Sequence, residues 1–299
     1  MSYRPHEQLV APARSTNELI RLIIGAIAVV VVFVLLGMVY AGLERALLPP
    51  DISNQLRQDL ITSTTAVSTL VNLFFFGLMT VSLAIVLRMI HSRSLISLIG
   101  YPPLALWQFW LVTRALVGLY IAIYILTAFL PAPESLQTSI NMAFGKWLLF
   151  LPLTLLGLLI QTSAEELVFR GYLQSQLAAR FSHPLVWIVV PSLLFALLHF
   201  DPEVMGNSAW LIVVWAGCFG MAAADLTARS GTLGPAIALH LTNNTIAIAL
   251  TAPDGNFDGL ALYTYPFSMT DADILMAWMP VEMLVLLCTW LVARLTLRC

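Results

Sequence analysis

Two adjacent carboxylates, Glu165 and Glu166, stand in the run QTSAEELVFRG, with Arg170 four residues beyond the second. Further along come His199 in LLFALLHF and His240 with Asn244 in IALHLTNN. A carboxylate and an imidazole flanking one water can take its proton and aim the oxygen at a carbonyl carbon, provided burial brings the carboxyl toward neutrality. Peptide hydrolysis then needs donors on the developing oxyanion, each worth about 2.7–4 kcal/mol of barrier. Glu165 and His199 suit the first task, His240 and Asn244 the second. Residues four apart share a helix face, so His240 and Asn244 can present two donors to one point. Glu166 and Arg170, in the favourable acid-before-base order, are expected to pair with each other, which leaves Glu165 for chemistry. Asn243 points about 100° away from Asn244 and reads as structural.

The elements that carry these groups belong in a membrane. Of the 299 residues, 60% are hydrophobic and only 10% charged, and mean hydropathy is +0.89. A soluble domain would have roughly a quarter of its residues charged. With 14 Lys+Arg against 16 Asp+Glu, the net charge of -2 offers no surface for nucleic acid. Cys218, Cys288 and Cys299 fit neither a disulfide framework nor a zinc motif, and Cys299 lacks the three following residues of a prenylation box.

A spanning helix needs about 20 largely apolar residues. Eight stretches qualify or nearly do: Ile20–Leu43, Ala66–Leu87, Trp107–Leu130, Trp147 through Glu165, Pro184–Phe200, Ala209–Ala228, Thr232–Thr251 and Ile274–Val292. The expected fold is an all-α, polytopic membrane bundle of about eight transmembrane helices, forming a single transmembrane domain over 1–299. The first stretch is too long for a signal peptide and is expected to be retained. Lys/Arg asymmetry puts both termini in the cytoplasm, with the acidic loop Pro253–Asp273 outside. Compact loops suggest a bacterial cell membrane. Arg114 and Asp225 read as paired or snorkelling charges, Ala216, Gly220 and Ala224 as a close-packing stripe, and Tyr263, Tyr265 and Trp278 as an interfacial belt.

Ionisable groups inside membrane helices are functional suspects by default, and their depths can be compared at about 1.5 Å per residue. If the fourth helix runs to the turn near Arg180–Pro184, Glu165 lies about 22 Å and His199 about 24 Å from that turn. His240 and Asn244 lie about 16 and 22 Å beyond Arg229. The four groups therefore fall in one layer.

Three motifs, EELVFR as EExxxR, Phe195–His199 as FxxxH and His240–Asn244 as HxxxN, resemble in order and spacing those of the CAAX protease and bacteriocin-processing family. The resemblance covers roughly a third of the chain, with a catalytic core at 147–251. It implies an intramembrane endopeptidase of the type II CAAX prenyl endopeptidase class, whose members are regarded as glutamate-dependent. Glu165 and His199 would activate water, His240 and Asn244 would form the oxyanion hole, and Glu166 with Arg170 would support the site. The implied substrate is a membrane-associated protein or peptide, a prenylated CAAX chain being the eukaryotic case, and no cofactor is implied.

Three other readings stand beside this one. A zinc-dependent version would use the same histidines and glutamates, but the HExxH spacing is missing and Asn is a poor zinc ligand. A non-catalytic membrane scaffold or immunity protein would have no physical reason to keep Glu165, His199, His240 and Asn244 in apolar surroundings. A transporter would show broken helices in repeated halves, and no such pairing is visible.

Overall fold

The computed structural model describes residues 3–130, 133 and 137–299. Its helices are α1 (Leu19–Leu47), α2 (Ala66–His91), α3 (Pro102–Thr127), α4 (Phe144–Arg180), α5 (Pro184–Leu197), α6 (Ala209–Ser230), α7 (Gly234–Asn244, running on as a π-helix over Thr245–Leu250) and α8 (Ala272–Leu297). Each of the eight apolar stretches is thus a helix, and the chain is an all-α membrane bundle. Among the described residues, six helices are long and apolar enough to cross a bilayer, α6 counting together with the turn that starts at Pro202. The other two are shorter, α5 with 14 residues and α7 with 11 before its π-helical extension. A short polar helix, Pro50–Thr62, joins α1 to α2.

The outer helices show why no water-facing side exists. On α1 only Leu22, Gly25, Val29 and Glu44 are buried, three of them in a helical stripe, while Ile20, Ile24, Ile27, Val31 and Leu35 are exposed. An exterior as apolar as the interior is what lipid contact requires. The acidic loop folds onto the bundle through a small sheet: Tyr263–Tyr265 pairs antiparallel with Ser139–Ile140 and parallel with Thr251–Pro253. Asn141 ties it down by donating to the carbonyls of Asp258 and Ala261.

Close helix approach rests on small residues. The stripe on α6 packs against α5, where a Cβ at Gly220 would lie 2.9 Å from Ser192 Cβ. Gly234, opening α7, abuts the backbone of α3, and its missing Cβ would fall inside the Ala105 carbonyl. Leu233 in turn packs on Gly171 of α4, so α7 begins well inward of the α4 terminus.

Asp225 is a paired charge. It accepts from Arg229 Nε at 2.7 Å, Tyr3 Oη at 2.8 Å and Trp290 Nε1 at 3.0 Å, so the two terminal segments meet at one end of the bundle. Arg114 instead stays exposed and donates to the Trp110 carbonyl of its own helix. Beside Asp225, His6 is buried against the Trp187 ring at 4.8 Å, and burial pushes its imidazole down to about 4.

Two outcomes follow from this packing. Gly234→Ala forces a methyl into backbone and should cost about 1–3 kcal/mol, read as a lower unfolding temperature in detergent. Gly42→Ala, where a Cβ meets nothing within 4 Å, should cost nothing; equal losses at both positions would contradict the packing described. Because folding depresses the His6 value from 6.5 to about 4, its neutral ring stabilises fully above pH 6.5 and that stability drains away as pH falls toward 4. His6→Phe should flatten the unfolding temperature across that window relative to wild type.

Candidate active site

α4 supplies the carboxylates, and its geometry changes at the site. The helix is α-helical through Glu166, then loosens into π-helical turns over Leu167–Gln174. Such widened turns inside α-helices occur frequently at functional sites. Glu166 and Arg170 still meet across one turn, Arg170 Nη1 donating to Glu166 Oε1 at 2.9 Å, with side chains 0% and 1% exposed. The guanidinium also lies 4.6 Å from the centroid of the Phe195 ring on α5.

His240 reaches the same carboxylate from α7. Its Nδ1 lies 2.8 Å from Glu166 Oε1, and since Arg170 already holds that oxygen as an acceptor, the imidazole nitrogen is the donor. This fixes the ring, with Phe219 against it at 4.9 Å and Phe195 at 6.0 Å between centroids. The other nitrogen, Nε2, then faces Glu165 Oε2 at 3.4 Å. Glu165 Oε2, Glu166 Oε2 and Arg170 Nη2 are buried without a hydrogen-bond partner. Unsatisfied polar atoms at this density are rare in native interiors and cluster where chemistry needs them.

Asn244 is placed one turn along α7. Its Nδ2 donates to Gln161 Oε1 of α4 at 2.9 Å, and Asn243 Nδ2 donates to its Oδ1 at 3.2 Å. The two helices thus run as a ladder in which His240 faces Glu165 and Asn244 faces Gln161. The depth comparison had set Glu165 level with Asn244, one turn off. The reason is the deep start of α7: counted from the Leu233–Gly171 contact, Glu165 and His240 lie about 9 and 10 Å along their helices.

His199 falls in the turn just past Leu197 rather than within α5 as expected. Its Nδ1 caps the Phe195 carbonyl at 2.8 Å. A carbonyl only accepts, so Nδ1 carries the proton and Nε2 presents a lone pair, with no protein partner among the described residues. The His199 ring lies 4.6 Å from the Phe195 ring. Glu165, Glu166, Arg170 and His240 are therefore in direct contact, Asn244 joins through Gln161, and His199 joins through Phe195. Gln161 and the shared Phe195 ring were missed from the sequence. The signal for Gln161 was a polar residue one turn before Glu165 on the same face.

Residues 146–246 match the family model described as Type II CAAX prenyl endopeptidase Rce1-like. A relative, the Uncharacterized protein YyaK of Bacillus subtilis (strain 168), is 34% identical over 124 residues, covering 40% of this chain and 40% of that protein. The chain thus aligns with less than half the length of the relative it matches. No solved structure matches the chain. The matched segment holds every polar residue just described, and over it this membrane protein resembles the Rce1-like, type II CAAX prenyl endopeptidase family.

Proposed function

We propose that this protein is an intramembrane endopeptidase that hydrolyses a peptide bond in a membrane-associated substrate near the cytoplasmic face, with residues 147–251 as its catalytic core. The observation that carries this is the buried Glu165 carboxylate, whose Oε2 has no hydrogen-bond partner among the described residues, beside a histidine whose ring is locked by Glu166 and Arg170. Glu165 receives the proton of a water that His199 Nε2 also holds by a hydrogen bond, as the water oxygen bonds to the scissile carbonyl carbon. Asn244 Nδ2–H and His240 hold the resulting oxyanion. The accepted proton then passes to the departing nitrogen as the C–N bond breaks. A prenylated CAAX-type chain is the substrate class that the family name of the matched segment suggests.

The orientation adopted puts both termini in the cytoplasm, following the excess of Lys/Arg in loops on that side. Every step is assigned to the chain's own groups. The zinc-dependent and the non-catalytic readings are separated from this one by measurement.

Purified protein in detergent should cleave a prenylated CAAX peptide, and Glu165→Ala and His199→Ala should each lower kcat by about 10²–10⁴ without loss of folding. Unaltered cleavage by Glu165→Ala would end the mechanism. Exhaustive chelation should leave the rate within twofold, whereas loss restored by added zinc would establish the metal-dependent version. Arg170→Gln, which strands the Glu166 carboxylate, should cost about 3–5 kcal/mol of stability, measured by thermal unfolding beside Arg114→Gln, an exposed arginine expected to cost little.

A further inference from the structure

We propose that Gln161 is a further catalytic residue, donating an N–H from Nε2 to the oxyanion beside Asn244. The inference rests on the endopeptidase reading and assigns a role outside the three motifs.

The starting point is an accounting of donors. Both ring nitrogens of His240 already face carboxylates, Nδ1 at 2.8 Å from Glu166 and Nε2 at 3.4 Å from Glu165. That commitment weakens His240 as an oxyanion donor and leaves Asn244 short of a companion. Asn244 is itself one link in a chain of three primary amides, Asn243 donating to Asn244 and Asn244 to Gln161. A primary amide has one oxygen and two N–H groups. Turning one amide alone would set nitrogen against nitrogen or oxygen against oxygen, so the chain runs wholly one way or wholly the other. In the recorded direction Gln161 keeps both N–H groups, and in the reverse direction it keeps one. Either way at least one Gln161 N–H is unspent, and among the described residues no protein group accepts it.

Position makes that spare donor useful. Gln161 is buried at 7% exposure, one helical turn from Glu165 on the same face of α4, and bonded to Asn244 at 2.9 Å. An oxygen that gains negative charge between Gln161 and Asn244 accepts the spare N–H at the moment of reaction, which is how preorganised donors lower a barrier. The amides also hold one another in place, so neither donor has to be oriented by the substrate.

Two substitutions separate this role from simple support of Asn244. Gln161→Met removes donor and acceptor. Gln161→Glu, assayed at pH 8, keeps an oxygen to accept from Asn244 and removes the N–H groups. The proposal expects both to lower kcat about 10²-fold with KM within threefold of wild type, and to weaken a peptidyl phosphonate carrying the tetrahedral anion more than the peptide substrate. Near-wild-type kcat in Gln161→Glu would reduce Gln161 to a positioning residue and overturn the proposal. So would retention of kcat within threefold by Gln161→Met. Unfolding temperatures of both variants guard against misfolding, and the phosphonate comparison reads the role from binding. Glu165→Ala distinguishes the two levels: if it cleaves normally, the endopeptidase mechanism itself has failed. If it is inactive while Gln161→Met is active, only the donor assignment has.

Discussion

A carboxylate with no exposed surface, in the middle of a helix bundle whose outer face is lipid, needs compensation from every side. For Glu166 the compensation comes from three helices. Arg170 supplies charge from one turn along α4, His240 supplies a second donor from α7, and the Phe195 ring of α5 lies under the guanidinium. Breaking such a buried pair by removing one partner is strongly destabilising, so this arrangement fixes how α4, α5 and α7 sit together. It also sets the chemistry. Because Glu166 takes the Nδ1 proton, Nε2 of His240 has nowhere to point but toward Glu165. Glu166 thereby orients the histidine that faces Glu165.

Backbone geometry follows the same constraint. α4 keeps α-helical spacing through Glu166 and α7 through Asn244, and each passes into π-helical turns immediately afterwards. The regular portions are the ones that must match, since His240 and Asn244 face Glu165 and Gln161 at four-residue spacing on both helices. Beyond the matched pair that demand ends and the turns widen. Gly171 and Gly234 serve the same register at the other end, letting Leu233 and α3 approach closely enough to start α7 at the depth that aligns the ladder.

Much of this was legible in the sequence, for identifiable reasons. The eight helices follow from apolar runs, which a membrane protein writes plainly because its exterior is not polar. The Glu166–Arg170 pair follows from spacing alone. The His240–Glu165 level did not, because depth was counted from Arg229 and the sequence does not say that α7 starts at the height of Gly171. His199 was assigned to a helix because LLFALLHF has no breaker between Leu197 and His199, and the next local signal, Asp201 capping the turn that Pro202 opens, comes two residues later. Gln161 was passed over since a single amide in an apolar span is routine helix glue. Only the partner across the interface distinguishes it.

The short length of α5 gives the site its last ingredient. Fourteen residues make a helix of about 21 Å, less than the roughly 30 Å apolar layer. Its C-terminal carbonyls need partners, and His199 Nδ1 meets one of them at Phe195. The cap leaves Nε2 bare, as a proton acceptor must be. Irregular backbone within the layer is tolerated only when enclosed by protein or lining a wet cavity. On the endopeptidase reading, the same helix end that presents an imidazole also requires the polar or aqueous surroundings that a hydrolytic reaction consumes. A continuous spanning helix in place of α5 would satisfy its own carbonyls, and His199 would then have no cap to make and no reason to expose Nε2.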